Sequence, residues 1–205
     1  MSEIRPDGGR RRGKSKGDLR EEAILNAAER QLAETEYERI TVATLMDEVG
    51  GSRGGFYFYF STKADVVAAL VERTVAALHV SPESLAGGER DLTPMQLIGI
   101  LLAQTEAMWA EHGPVMSAAV ELSPTVPSIS ASWSSAAEAV TRTATQIAVR
   151  AGLDASSAPE GAAATSAMLV WMAERAYYQA RRLGTPTLPE VTAACEAVWR
   201  RCLTA

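Results

Sequence analysis

Residues 50–60 read Gly50-Gly51-Ser52-Arg53-Gly54-Gly55-Phe56-Tyr57-Phe58-Tyr59-Phe60, and Ser61-Thr62-Lys63-Ala64-Asp65 follow. All three phenylalanines of the 205-residue chain fall in this run. Alternating Phe and Tyr would suit a strand with one ring type on each face. The flanks favour helix instead. Ser52 is placed to accept hydrogen bonds from the free amides of a first helical turn. Ser61 or Thr62 caps the next helix, with Asp65 three residues after Thr62 in capping-box spacing. Upstream, Thr41 caps a short helix carrying Val42, Leu45 and Val49, which stops at Gly50. Helix, glycine turn, helix, cap and helix is the layout of a helix-turn-helix, whose second helix enters the DNA major groove.

On a helix, Phe56 and Phe60 are four apart and share a face, whereas Tyr57 and Tyr59 point away from it. The phenylalanines are therefore assigned to a small core. Tyr57, Tyr59 and Lys63 offer hydroxyl and ammonium donors to phosphates, and Phe58 is expected to be more exposed than a core ring.

The run Ile24-Leu25-Asn26-Ala27-Ala28, then Thr41-Val42, Leu45, Val49-Gly50, Ser52-Arg53 and the aromatic pentapeptide with Lys63, resembles the DNA-binding domain of TetR-family transcriptional regulators. The likeness spans about residues 19–66. It implies backbone or base contacts from Thr41 and Thr44, a DNA contact from Ser52, base-edge contacts from Arg53, Gly54 and Gly55, and phosphate contacts from Tyr57, Tyr59 and Lys63. Two glycines depart from the family pattern. Position 51 is usually branched and apolar there, and position 55 usually carries a hydroxyl or methyl, so Gly51 and Gly55 each remove a group. A glycine inside a helix costs roughly 0.5–1 kcal/mol relative to Ala, so the second helix is expected to fray without DNA. Arg53 is then the one long side chain at the start of that helix able to read a base, best as a bidentate contact to guanine.

Net charge is −5, which is unexpected for a DNA binder until it is resolved along the chain. Residues 1–20 carry seven Arg or Lys against three acids, a surplus of four, leaving the remainder at −9. An arm containing Arg10, Arg11 and Arg12 is thus expected to follow phosphates or a minor groove, the alternative being a merely solvated terminus. No apolar core follows these charges as in a signal peptide, and no apolar stretch nears the 18 residues of a membrane span. Cys195 and Cys202, seven apart on one helix face, are separated by about 10 Å of rise, too far for a disulfide. They fit a reduced, cytoplasmic protein.

The chain reads as all-α. The expected organisation is a basic arm over 1–18, a three-helix helix-turn-helix domain over 19–66, and a helical effector-binding and dimerisation domain over 67–205. A linking helix is expected at 62–79, then helices near 93–111, 114–121, 127–152, 159–183 and 189–203, with prolines near their starts and Gly113, Gly152 and Gly184 near ends. Trp109, Trp133, Trp171 and Trp199 fall on four different helices of the second domain, either lining a shared cavity or serving as core or interface rings.

The family resemblance favours the cavity, since the second domain of TetR-type regulators generally binds a small molecule and dimerises through its last two helices. In one branch of the family a long apolar tunnel takes greasy ligands. The chain shares with that branch Trp133, Met172-Ala173-Glu174-Arg175 and Trp199, but carries Val170 and Ala173 where the branch has polar amides, leaving a ligand amide or ester without an anchor. The expected pocket comprises Leu97, Leu101, Thr105, Trp109, Trp133, Trp171, Tyr178 and Trp199. A dimer seam is expected along the last two helices, from Met168, Met172 and Arg175 and the stripe Leu188, Val191, Cys195, Val198 and Cys202.

The expected partners are a double-stranded DNA operator, a small hydrophobic effector and a second copy of the chain, with no membrane and no cofactor or metal. The expected function is a repressor released from a palindromic operator by the effector. A constitutive DNA-binding protein whose second domain only dimerises is the alternative. Glu106, Glu111, His112, Glu121 and Glu174 form no nucleophile-base or metal-ligand motif, so an enzyme is not expected.

Overall fold

A computed structural model describes residues 15–76, 78, 92–156 and 158–203. The arm residues Arg10, Arg11 and Arg12 lie outside the described residues. Among the described residues eight α-helices follow one another: α1 (Lys16–Glu34), α2 (Val42–Val49), α3 (Arg53–Tyr57), α4 (Lys63–Val75), α5 (Pro94–Leu122), α6 (Pro127–Arg150), α7 (Ala162–Leu183) and α8 (Leu188–Leu203). A 3-10 turn, Tyr37–Arg39, joins α1 to α2.

Local chemistry sets the starts. Ser15 with Asp18, Thr41 with Thr44, Thr62 with Asp65 and Thr93 with Gln96 each form a reciprocal capping box, so side chains satisfy the orphan amides of α1, α2, α4 and α5. Of the two caps considered for α4, Thr62 takes the role. Gly50 closes α2 in the left-handed region (φ 69°, ψ 52°), and Gly184 closes α7 the same way.

Several boundaries differ from the sequence expectation. The linking helix ends at Val75 rather than 79. The two helices expected at 93–111 and 114–121 are one long element bent at His112 (φ −112°, ψ 24°). Pro114 supplies no backbone N–H to the preceding turn and crowds it, so the helix bends there without separating. α7 begins at Ala162, not 159, because Pro159 lies in a turn that brings the Ala162 N–H to the Asp154 carbonyl at 2.8 Å. A Cβ at Gly161 would collide with the carbonyls of Ser156 and Ala158, so glycine is required where this turn enters the helix.

Phe56 and Phe60 are buried with Ile24, Leu45, Met46, Val66 and Leu70, as the helical reading of the pentapeptide requires. Phe58 is 82% exposed. α4 belongs to both halves of the molecule, since Val66, Leu70 and Val71 join the main core while Val67 and Ala68 pack with Ala118 and Ile129 of α5 and α6. The apolar stripe of α8 faces inward: Val191, Cys195 and Trp199 are each 3% exposed, with Leu188, Val198 and Cys202 packed behind them. This corrects the expectation that the stripe forms an open seam. An amphipathic pattern says which face is buried, and here α5 and α7 cover it. On α7, by contrast, Met168, Trp171, Met172 and Leu183 stand exposed. Cys195 and Cys202 are both free thiols.

Candidate nucleic-acid interface and apolar cavity

The second helix of the helix-turn-helix is five residues long and is fixed from one side. Ser52 Oγ accepts the Gly55 N–H at 3.2 Å, and the Phe56 N–H donates to the Ser52 carbonyl at 3.2 Å. Phe56 is fully buried, meeting Tyr57 edge-on at 5.5 Å and Phe60 at 5.9 Å between centroids. With that anchor inside, Ser52, Arg53 and Gly54 turn outward, and so does Tyr57, while Tyr59 is half-buried beside Phe58. An added Cβ at Gly54 or Gly55 would meet only ordinary contacts, the nearest being Ser52 Oγ at 3.9 and 3.6 Å. Packing within the chain therefore does not demand either glycine.

Gly51 is different. Its missing Cβ would fall on the Arg20 guanidinium and the Met46 methyl. Arg20 donates from Nη1 to the Val49 carbonyl (3.2 Å) and from Nη2 to the Gly50 carbonyl (3.1 Å), satisfying the carboxyl end of α2. The group that Gly51 lacks is replaced by an arginine reaching across from α1.

Thr41 and Thr44 are exposed but already engaged with each other: the Thr44 hydroxyl accepts the Thr41 N–H (3.0 Å) and lies 2.9 Å from both Gln31 Oε1 and the Thr41 carbonyl. Lys63 is turned away from the outward face. Its ammonium donates to the carbonyls of Tyr37 (2.8 Å) and Ile40 (2.9 Å), with that of Glu38 at 3.4 Å, and sits 4.1 Å above the Tyr37 ring. Burial pulls its pKa below the ordinary lysine value. A phosphate role was expected for Lys63, and instead the side chain ties α4 to the turn before α2, because the chain reversal at Tyr37–Ile40 gathers several carbonyls within its reach.

In the second domain a cleft enclosing about 710 Å³, measured out to its mouth, lies between α4, α5, α6, α7 and α8. Of the residues proposed for a pocket, Leu101, Thr105, Trp109, Trp133, Trp171 and Trp199 line it. Leu97 and Tyr178 do not. Each i+4 step along a helix overshoots a full turn by about 40°, so the stripe rotates away by Leu97, which is buried in the core. The Tyr178 hydroxyl donates to Glu121 Oε1 (2.7 Å) and accepts from Arg182 (3.0 Å), outside the cleft. Its neighbour Tyr177 is the inward ring, stacked on Trp109 at 6.3 Å and hydrogen-bonded to Thr192 at 2.8 Å. Burial pushes its pKa up to about 12, Thr192 opposing and Cys195 and Glu106 adding.

Two placements lay beyond the sequence reading. One is that of Glu174, the sole acid of α7, noted in the sequence only within the Met172–Arg175 motif and among the acids, which reaches the cleft wall. The other is the link between halves: Glu29 of α1 bonds to both Arg73 of α4 and His112 at the bend of α5. The run of acids in α1 carries no hint of which one is used.

An exposed, capped reading helix on a three-helix domain, joined through α4 to a helical bundle with an apolar cleft, defines an all-α, two-part protein of helix-turn-helix class. Residues 24–70 match the family model "Bacterial regulatory proteins, tetR family". Over these residues the chain is similar to the tetR family's regulatory proteins. It is 39% identical over 83 residues to the HTH-type transcriptional regulator EthR of Mycobacterium tuberculosis, covering 40% of this chain and 38% of EthR. It is 41% identical over 71 residues to the EthR of Mycolicibacterium smegmatis, covering 35% and 33%. The match thus spans less than two fifths of these relatives. Among solved structures, a TetR-family regulator from Syntrophomonas wolfei shares the fold with a TM-score of 0.74 at 13% identity, covering 93% of this chain and 97% of that one. The fatty acid degradation regulator FadR from Bacillus halodurans does so with a TM-score of 0.67 at 15% identity, covering 94% and 97%. Among the described residues no helix is long and apolar enough to cross a membrane.

Proposed function

We propose that the protein is a cytoplasmic, dimeric, ligand-responsive transcriptional regulator, a repressor that leaves a palindromic operator when a small apolar molecule enters the cleft. One observation carries the reading. α3 presents Arg53 outward beside two glycines that internal packing does not require, on a domain matching the tetR family. Arg53 reads a base edge, and Gly54 and Gly55 let backbone approach the groove. Thr41, Thr44, Ser52, Tyr57 and Tyr59 position the helix on the backbone, with the arm residues Arg10, Arg11 and Arg12 adding phosphate contacts. Lys63 is left out of this set.

Two reading helices serve successive major grooves when about 34 Å apart, which a dimer provides. The exposed Met168, Trp171, Met172 and Leu183 of α7 supply the apolar seam, with Arg175. α4 couples the parts, since its first residue, Lys63, is docked on the DNA-reading domain and its last, Val75, forms part of the cleft wall with Leu78. A ligand that prefers a displaced α4 weakens DNA binding by that preference and no more. The cleft favours this over a constitutive regulator whose second domain only dimerises.

Selection from random duplex DNA, followed by fluorescence anisotropy on the enriched sequence, tests the reading. An enriched inverted repeat is expected, and compounds that quench Trp emission should release it. No enriched sequence would overturn DNA reading, and enrichment indifferent to every quenching compound would leave the constitutive alternative.

A further inference from the structure

The cleft wall is apolar except at Glu174 and Thr105. Glu174 lines it, and among the described residues its Oε1 is buried without a hydrogen-bond partner. Thr105, the other polar side chain there that bears a hydroxyl, donates to the Leu101 carbonyl at 2.8 Å and is committed to its helix. Arg175, the adjacent cation, stands over the Tyr178 ring at 5.2 Å. A buried carboxylate facing hydrocarbon is costly until a donor meets it. Consistent with that cost, burial pushes the Glu174 carboxyl above the ordinary range, against the opposing influence of Arg175. Trp109 and Trp133 line the same cleft, and an indole ring attracts a cation placed over its face.

We propose that the cleft takes an apolar ligand bearing an ammonium group, whose N–H donates to Glu174 Oε1 while its hydrocarbon part lies against Trp109 and Trp133. This rests on the cleft being the effector site. The head group is thereby specified: an amine is preferred over an alcohol of the same skeleton, and a carboxylate is rejected by like charge.

Phenylbutylamine, phenylbutanol and phenylbutyrate differ only in that head. Each is titrated into the full chain and followed by emission of the four cleft tryptophans. The amine should bind roughly tenfold to a hundredfold tighter than the alcohol, the gain of a charge-assisted over a weak contact, and the carboxylate weakest. Glu174→Gln should abolish the amine's advantage while leaving the alcohol's Kd within about twofold, which also reports that the cleft is intact. Equal affinity of amine and alcohol for the unmodified protein overturns the inference yet leaves the cleft as a binding site, and this comparison stands whether or not the variant folds. Binding of none of the three overturns the cleft reading itself.

Discussion

Nδ1 of His112 lies 2.5 Å from Oε1 of Glu29, and Oε2 of the same carboxylate accepts from Arg73 at 2.6 Å. Arg73 also donates to Asn26 Oδ1 at 2.8 Å. One carboxylate on α1 thus joins the end of α4 to the bend in α5, three residues beyond the cleft residue Trp109. Arg73 and His112 are both half-buried at this junction, so a displacement of the cleft wall along α4 or α5 would strain these contacts.

Glu29→Ala is therefore expected to reduce the coupling between cleft and DNA by about 0.5–2 kcal/mol, with ligand affinity nearly unchanged. The quantity to measure is the ratio of DNA Kd with and without a saturating cleft ligand. An unaltered ratio would place the coupling elsewhere.

Gly51 and Arg20 should behave as a pair. Gly51→Ala displaces the guanidinium from the Val49 and Gly50 carbonyls, at an expected cost of about 1–2 kcal/mol. In an Arg20→Ala background the same change should cost clearly less, giving a non-additive double-mutant cycle in denaturant unfolding. Additive effects would mean that Met46, not Arg20, sets the requirement for glycine.

Lys63→Ala removes the donor shared by the Tyr37 and Ile40 carbonyls, and should lower the unfolding free energy by roughly 1–2 kcal/mol. The salt dependence of DNA binding should keep its slope. A slope reduced by about one unit would instead show that this ammonium neutralises a phosphate in the complex.

Tyr177 gives a sign to the alkaline limb of stability. Its folded pKa is raised to about 12 from an ordinary value of 10.0, chiefly by burial. The folded state therefore favours the protonated phenol, and stability present below pH 10 is lost as pH rises toward 12. Tyr177→Phe should flatten the fall of Tm across that window relative to the unmodified protein. Parallel curves would remove Tyr177 as the titrating group.

Much of the fold was legible because its signals are local. Ser52, Thr41, Thr62 and Gly50 each act within three or four residues, so caps and turn could be read from spacing, and the pentapeptide then divided into buried Phe56 and Phe60 and exposed Tyr57 and Phe58. What failed depended on distant chain. Lys63 looked like a surface cation until the reversal at Tyr37–Ile40 brought carbonyls to it. The α8 stripe was read as a seam because periodicity cannot say which neighbour covers it. Tyr178 was expected in the pocket, but its hydroxyl is drawn to Glu121 and Arg182, partners 57 and 4 positions away that the sequence does not point to. Glu29 and His112 are 83 positions apart, and no local pattern pairs them.

In the proposed function Arg53, exposed beside Gly54 at the start of α3, reads the operator. Binding of unmodified protein and Arg53→Ala to the enriched duplex and to its single-base variants tests it most directly. The expected result is that Arg53→Ala loses about 1–3 kcal/mol of discrimination at one base pair in each half-site while discrimination elsewhere persists. Equal weakening on every sequence, with the pattern of base preference intact, would contradict the account.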